Sequence, residues 1–331
     1  MVKQFKTVRH YHENTIPTYY STFVEEISKM PHRLIQHGGE LCARFVSQRS
    51  NWQYTNIVEG CLVCRPDLGR NAMLGAVAGD IIGSVYEFHA IKSMDFPLFS
   101  EGSEWTDDTV LTMAVAQTLL TGCPYEETLR EFALEHPDAG FGGRFRHWFT
   151  TPGAKPYDSF GNGSAMRVSP VGWAFDTLEE TLEEAQRSAE VTHNHPEGIK
   201  GAQATAAAIF LAHQGTSQVI IRDVLETRFG YDLHRTYEDI QPACSFDQTC
   251  QRSVPEALIC ALTSMNFEGA VCRAVALGGD ADTQAAIAGS VAEALYGGVP
   301  ESIAKEVRAR LTPQFISILD AFQDKYHIPP S

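Results

Sequence analysis

From Ala72 onward, apolar residues recur at three- and four-residue spacing, which is the spacing of one face of an α-helix. The alternation typical of strands is scarce, and the segments 151–166 and 192–198 between the periodic stretches are rich in glycine, proline or serine. The pattern therefore predicts an all-α domain with loops suited to carry function. The predicted helical stretches are 72–90, 109–121, 178–190, 199–213, 255–264, 268–277, 283–296 and 301–321.

Residues 1–70 differ from the rest of the chain in composition. They are richer in His, Tyr, Gln and Asn, poorer in Ala, and less periodic. The sequence therefore predicts a main domain over residues 71–325, preceded by an N-terminal extension or arm over residues 1–70. Two interpretations of this extension stay open: it packs on the main domain, or it contacts a partner protein.

Charge and length exclude several classes of function. The chain has 331 residues, 41 acidic and 26 basic, with a formal net charge of -15, which disfavours general binding to nucleic acid or to a membrane surface. No apolar run approaches the ~20 residues of a membrane span and no secretory signal follows Met1, so we expect a cytoplasmic protein. Cys61 and Cys64 form a CxxC, but no second pair stands at zinc spacing, so zinc is not expected there.

The segment LGAVAGDIIGSVYEF, residues 74–88, carries glycine at every fourth position, so that Gly75, Gly79 and Gly83 form a bare ridge on a helix. Glycine inside a helix costs ~1 kcal/mol relative to alanine, and three in register predict a close backbone approach by another element. Asp80 and Glu87 are seven residues apart and share a face of this segment. Such acids are either exposed or, if buried, need a partner.

Two segments place several acidic residues where an apolar helix begins: TDDT at 106–109 and GGDADT at 278–283. One capping side chain and a negative charge suffice for a helix N-terminus, and Thr106 or Asp107 can supply both. If the two starts meet in space, four aspartates and at least two threonine hydroxyls converge, and charges that close need a compensating cation. Oxygen ligands without His or Cys favour Mg²⁺ or Mn²⁺ over zinc.

Two further segments have the composition of binding loops. In SFGNGSAMRVSP, residues 159–170, the Gly-Asn-Gly sequence predicts a tight loop whose backbone N–H groups can hold a phosphate, with Phe160 beside it to stack on a base. In THNHPEG, residues 192–198, His193 and His195 precede a helix that Pro196 can open. An ordinary turn and polar surface histidines are the alternative interpretations.

Taken in this order, these motifs resemble the ADP-ribosylglycohydrolase family, the enzymes related to dinitrogenase reductase-activating glycohydrolase. The resemblance covers about residues 70–325 and rests on TDDT, GNGSAMR, TH and GGDADT occurring together. It implies a compact orthogonal bundle of helices, a centre of two Mg²⁺ or Mn²⁺ ions, and removal of ADP-ribose from modified proteins. It also implies a set of metal ligands, with Asp282 bridging: Thr106, Asp107, Asp108, Asp280, Asp282 and Thr283.

The resemblance implies further roles for individual residues. Glu87 matches a glutamate that in relatives sits at the metal site and can gate it, and Gln284 stands where many relatives carry a small or apolar residue. Asp107, Asp108 and Glu87 are the candidates for taking a proton from the attacking water. The candidate substrate-binding residues are Ser159, Phe160, Gly161, Asn162, Gly163, His193 and Gly279.

The sequence thus favours a hydrolase that reverses protein ADP-ribosylation, with ADP-ribose and an ADP-ribosylated protein as its ligands. The metal-site motifs look bacterial-type, which favours arginine as the modified residue over serine or an O-acetyl group. Some bacterial relatives resemble immunity proteins against ADP-ribosylating toxins. Residues 1–70 would then bind a cognate ADP-ribosyltransferase toxin. If toxin binding is the main role of the protein, catalysis is secondary.

Overall fold

The computed structural model describes residues 72–326, and helices account for nearly all the regular structure in this range. Within these residues there is no strand, and the single isolated β-bridge joins Gly161 to Thr249. The predicted all-α class is therefore confirmed. The helices are α1 Leu74–Gly83, followed by a 3-10 turn Ser84–Tyr86, α2 Asp107–Thr121, α3 Tyr125–Glu135, α4 Gly143–Thr150, α5 Gly163–Met166, α6 Val171–Ala174, α7 Leu178–Glu190, α8 Pro196–His213, α9 Gln218–Phe229, α10 Tyr237–Ile240, α11 Cys250–Thr263, α12 Phe267–Ala276, α13 Ala281–Tyr296, α14 Glu301–Arg310 and α15 Pro313–Tyr326.

One of the predicted helical stretches is shorter than expected, and another is divided. The stretch 301–321 is two helices, because Pro313 cannot continue α14 and instead opens α15 at its first position. The stretch 72–90 is helical only to Gly83, after which the Ser84 hydroxyl donates to the Ile81 carbonyl (3.0 Å) and the chain tightens into the 3-10 turn. The segment SAMRV contributes only to the single turn of α5.

The glycine ridge of α1 packs against α13, which is buried from Ala281 to Leu295. A Cβ placed on Gly75 or Gly79 would collide with the α13 backbone, and one on Gly83 would lie 2.5 Å from the Asp282 Cα. The predicted close backbone approach is therefore confirmed. It brings the end of α1, and with it Glu87, beside the start of α13.

The core surrounds α13, which packs against α1, α8, α11 and α12. Its buried Glu293 accepts a hydrogen bond from the backbone N–H of Gly75 (2.9 Å), so this carboxylate caps the first turn of α1. Within residues 72–326, no helix is long and apolar enough to cross a membrane. The predicted arm, residues 1–70, lies outside the described residues, as do Cys61 and Cys64.

Candidate active site

The start of α2 is held by Asp80, whose carboxylate is fully buried on α1. Asp80 accepts hydrogen bonds from the backbone N–H and hydroxyl of Thr106 (2.9 and 2.7 Å) and from the backbone N–H and hydroxyl of Thr109 (3.1 and 2.5 Å). The Thr106 hydroxyl in turn caps α2 by accepting from the Asp108 N–H (3.3 Å). Capping is thus complete without the carboxylates of Asp107 and Asp108, which are left for another role.

The start of α13 follows a turn in which Gly278 takes the left-handed conformation, with φ of 65°. Asp280 stands at the N-cap position but its side chain does not cap the helix. Its Oδ2 instead accepts a hydrogen bond from the Asn162 side-chain amide (2.6 Å). Asp282, in the first turn, is 4% exposed and accepts from the Thr283 backbone N–H (2.8 Å). The turn therefore directs both carboxylates inward.

The two acid-rich helix starts meet. The Thr283 hydroxyl donates to Asp108 Oδ2 (3.3 Å), and oxygens of Glu87, Asp280 and Asp282 all lie within 4.8 Å of one another. The structure therefore brings the six residues of the predicted ligand set together with Glu87. Asp80, whose role no local motif indicates, positions the start of α2 through its hydrogen bonds with Thr106 and Thr109.

The electrostatics of this cluster call for a cation. Burial first, and then the neighbouring carboxylates, raise the pKa of Glu87 to about 7 and that of Asp107 to about 8. Burial raises the pKa of Asp280 to about 6 although Asn162 opposes the shift, and the pKa values of Asp108 and Asp282 lie well above their usual range. Among residues 72–326, no lysine, arginine or histidine nitrogen lies within 4.0 Å of these carboxylates.

One oxygen of the cluster also lacks a partner. Asp108 Oδ1 is buried and accepts no hydrogen bond from the described part of the chain. Such an atom, among carboxylate and hydroxyl oxygens only, fits a hard divalent cation. The Thr106 hydroxyl donates its proton to Asp80, so its oxygen can offer a free lone pair to a metal.

The segment SFGNG, residues 159–163, forms a loop, here called the glycine loop, that is fixed to the start of α11. The Asn162 backbone N–H donates to the Gln248 carbonyl (2.8 Å), and the Cys250 N–H donates to the Phe160 carbonyl (2.9 Å). Within the loop, the Ser159 hydroxyl accepts from the Gly161 N–H (3.2 Å). These bonds set the loop beside the carboxylate cluster.

Asn162 connects the loop to the cluster. Its side-chain amide donates to Ser253 Oγ (3.0 Å) as well as to Asp280, and the residue is 6% exposed. Sequence reasoning placed Asn162 with the substrate loop only. The contact with Asp280 bridges 118 positions of sequence, and no local pattern signals it.

His193 is buried beneath the glycine loop. A Cβ on Gly163 would lie 3.2 Å from its Nε2, and one on Gly161 would lie 3.6 Å away, so this ring nitrogen faces the loop. Burial, with the charges of Arg167 and Arg144 as smaller causes, holds the His193 pKa well below its usual range, so the ring is neutral. His195 instead caps α8, accepting from the Glu197 N–H (3.1 Å).

Phe160 and Gly279 complete the predicted set. Phe160 is 42% exposed, and its ring centroid lies 5.4 Å from that of His195 with the two ring planes at 62°, so part of the ring is open to a ligand. A Cβ on Gly279 would lie 2.5 Å from the Gln284 side-chain oxygen, so Gln284 fills the space behind this glycine. Gln284 is buried and donates to Glu256 Oε2 (3.3 Å) on α11, which gives the amide a polar partner.

The chain is thus an all-α protein with a carboxylate cluster facing a glycine loop. The family model described as ADP-ribosylglycohydrolase matches residues 65–327. The chain belongs to this family, and the resemblance found in the motifs is confirmed. Removal of ADP-ribose is accordingly its class of activity.

Curated relatives and solved structures agree with this assignment. The chain is 28% identical to the ADP-ribosylhydrolase ARH3 of Homo sapiens over 315 residues, covering 70% of this chain and 87% of that protein. It is 26% identical to the ADP-ribosylarginine hydrolase Tri1 of Pseudomonas putida (strain GB-1), covering 73% of this chain and 74% of that protein. A solved ADP-ribosylglycohydrolase-related protein complex has the same fold, with a TM-score of 0.60 at 23% identity, covering 78% of this chain and 98% of that one.

Proposed function

We propose that this protein is a metal-dependent hydrolase that cleaves the N-glycosidic bond between ADP-ribose and an arginine side chain of a modified protein. The observation that carries the proposal is the convergence of the two acid-rich helix starts beside the glycine loop, joined by the Asn162–Asp280 hydrogen bond. A cluster of carboxylates with no lysine, arginine or histidine nitrogen within 4.0 Å among residues 72–326 suits metal ions, and the His193 Nε2 that faces the loop suits a diphosphate.

The residues that would hold two Mg²⁺ or Mn²⁺ ions are those of the cluster: Thr106, Asp107, Asp108, Asp280, Asp282 and Thr283, with Glu87 adjacent. The buried, unpartnered Asp108 Oδ1 supports this assignment. Bound divalent cations supply positive charge that orients ribose hydroxyls and lowers the pKa of a water molecule.

The protein residues act on the ribose C1″ and on the attacking water. As the bond to the acceptor breaks, C1″ gains oxocarbenium character, and the surrounding carboxylates offset this positive charge. Asp107, Asp108 or Glu87 accepts the proton of the water that attacks C1″. One proton is returned to the acceptor nitrogen as it leaves, which balances the proton taken from the water, so that ADP-ribose and a free guanidinium result.

The remaining predicted residues bind the rest of the substrate. The ring of His193, whose Nε2 faces the loop, would hold the diphosphate together with loop N–H groups other than those of Gly161 and Asn162, which already have partners. The open part of the Phe160 ring would stack on the adenine.

Arginine as the acceptor is supported by the similarity to the ADP-ribosylarginine hydrolase Tri1. The name of the ARH3 relatives specifies no acceptor, so serine and O-acetyl linkages are the alternatives that an experiment must separate.

The test offers the purified full chain three substrates side by side: arginine-linked ADP-ribosyl protein, serine-linked ADP-ribosyl protein and O-acetyl-ADP-ribose, with Mg²⁺, Mn²⁺ or a chelator. We expect metal-dependent release of ADP-ribose from the arginine-linked substrate. Release from another substrate alone would overturn the arginine assignment, and equal release in chelator would overturn the metal dependence.

We further propose that residues 1–70 bind a cognate ADP-ribosyltransferase toxin, as in an immunity protein. The support is their distinct composition. Deleting residues 1–70 should abolish toxin binding in a pull-down and spare hydrolysis, whereas Asp107→Ala with Asp108→Ala should do the reverse. If deletion affects only folding, this role is wrong.

A further inference from the structure

Arg167 is a buried cation without a counter-ion. It follows α5, is 0% exposed, and has no carboxylate oxygen within 4.0 Å among residues 72–326. Its Nε and Nη1 are buried without a hydrogen-bond partner in the same range. Burying a charge in this way is costly unless the charge has a defined target.

The target of Arg167 is the hydroxyl of Thr192. Arg167 Nη2 donates to Thr192 Oγ1 (3.0 Å) and to the Ser188 carbonyl (2.8 Å). Thr192 Oγ1 lies 2.7 Å from Nδ1 of His193, the histidine beneath the glycine loop. A guanidinium can only donate, so Thr192 must accept from it. In the described structure, the only acceptor found for the Thr192 hydroxyl proton is His193 Nδ1.

This order of donors fixes the state of the histidine. If Nδ1 carried a proton, the buried Thr192 hydroxyl would face a second donor and lose its acceptor. Nδ1 must therefore accept, and the ring proton must sit on Nε2. Nε2 is the nitrogen that faces Gly161 and Gly163.

We infer that Arg167 and Thr192 are positioning residues that hold His193 as the neutral tautomer with its proton on Nε2, so that the ring permanently offers a hydrogen-bond donor to the substrate diphosphate. The inference rests on the proposed function for the identity of the ligand. The hydrogen-bond chain itself does not depend on that function.

The charges around His193 act in the same direction. Arg167 from the end of α5 and Arg144 from α4 both disfavour a third positive charge, and burial disfavours it further. Tyr157, whose ring centroid lies 6.1 Å from that of His193, has its pKa raised to about 12 by burial and is neutral. Cys250, which holds the loop from behind, likewise has its pKa raised to about 12 by burial.

The first test is the ring ¹⁵N NMR spectrum of His193 in the full chain, with the resonance assigned by its loss in His193→Gln. We expect the Nε2–H tautomer at every pH from about 5.5 to 8, although an unperturbed histidine titrates near 6.5. An Nδ1–H tautomer, or a titration near 6.5, would overturn the inference.

The second test removes the hydroxyl without changing the shape of the side chain, in Thr192→Val. We expect mixed tautomers and ADP-ribose binding about 2- to 10-fold weaker, since only the fraction of rings with the proton on Nε2 can donate. The loss should be the same from about pH 5.5 to 8, because burial and the two arginines still keep the ring neutral. Thr192→Ser should retain the wild-type tautomer and affinity, and Arg167→Lys should retain them in part.

Thr181→Val is the matched control, because Thr181 is equally buried and its hydroxyl donates only to the Thr177 carbonyl (2.9 Å). This control should leave both the His193 tautomer and the affinity for ADP-ribose unchanged. If Thr192→Val keeps the wild-type tautomer and the wild-type affinity for ADP-ribose, the positioning role is wrong. If the wild type shows the Nε2–H tautomer but binds no ADP-ribose in calorimetry, the proposed ligand is wrong and the hydrogen-bond chain stands.

Discussion

The candidate site has an acidic half, whose carboxylates are largely buried, and a basic half, in which Arg167 is buried and Arg144 is exposed. The acidic half is the cluster of Glu87, Asp107, Asp108, Asp280 and Asp282, and the basic half is Arg167 and Arg144 around His193. The two halves do not neutralise each other through a direct ion pair in residues 72–326. The neutral Asn162, from the loop that lies over His193, donates to Asp280. The negative charge of the acidic half is therefore left without a protein counter-ion.

Helix ends explain how the fold tolerates both charges. The aspartates lie at the N-termini of α2 and α13, where the helix dipole favours negative charge. Arg167 instead donates to the Ser188 carbonyl in the last turn of α7, where the dipole favours positive charge. The chain thus places each charge at the helix end whose dipole favours it.

The largest expected effect comes from removing one charge of the acidic half in Asp282→Asn. The substitution preserves shape, but it removes a charge from the centre of the cluster. We expect kcat/KM to fall by about 10²–10³-fold, the magnitude typical of losing one electrostatic contact in an active site. Asp324→Asn, at an exposed position on α15, is the matched control. Near wild-type turnover by Asp282→Asn would remove Asp282 from the metal site.

The next effect is on stability, and its sign follows from the pKa values. The raised pKa values of Glu87, Asp280 and Asp107 mean that the folded, metal-free chain binds more protons than the unfolded chain. The stability from these groups is fully present below about pH 4 and is lost as pH rises through about 6 to 8. The Tm in chelator should therefore fall over that range.

Adding Mg²⁺ or Mn²⁺ should reverse this loss, because a cation displaces the competing protons. At about 100 times its Kd, a metal stabilises by about 2.7 kcal/mol, which raises Tm by roughly 5–10 °C for a domain of this size. Thermal unfolding should show a larger increase near pH 8 than near pH 6. An equal increase at both pH values would argue that the cluster does not hold the metal.

The hydrogen bond from Asn162 to Asp280 is tested by the variant Asn162→Ala. Loss of the amide leaves Asp280 without its donor at 2.6 Å, so we expect the apparent metal affinity to fall by about 10–100-fold, as for other residues that orient a ligand. Ser253→Ala removes only the second partner of the amide and should have a smaller effect. Equal effects of the two variants on metal titrations would contradict a direct role of Asn162 at the cluster.

The parts of this site that could be predicted from sequence are those encoded locally. The glycines of α1 and the two acid-rich helix starts are visible as short motifs, and the structure brings them together. The helices α3 and α9 were not predicted, although the spacing of Ile221, Val224 and Leu225, all buried on one face of α9, is a readable helical signal.

What sequence reasoning missed depends on contacts between distant segments. Arg167 belongs to the motif GNGSAMR, but its role depends on Thr192, which lies 25 residues further along the chain. Asp80 was visible as an unusual acid, yet only packing shows that it holds both Thr106 and Thr109. Long-range partners of buried polar groups leave no periodic signal, because burial fixes only that a partner exists.

The smallest expected effect lies at the edge of the basic half, in Phe160→Leu. The residue is 42% exposed and His195 is its one aromatic neighbour among residues 72–326, so loss of the ring should cost little stability. Stacking of one base on an aromatic ring contributes about 1–3 kcal/mol, and leucine retains part of the apolar contact, so we expect ADP-ribose to bind about 5-fold more weakly. Ribose 5-phosphate, which has no adenine, should bind both proteins equally. If the substitution weakens both ligands alike, Phe160 shapes the glycine loop and does not stack on the base.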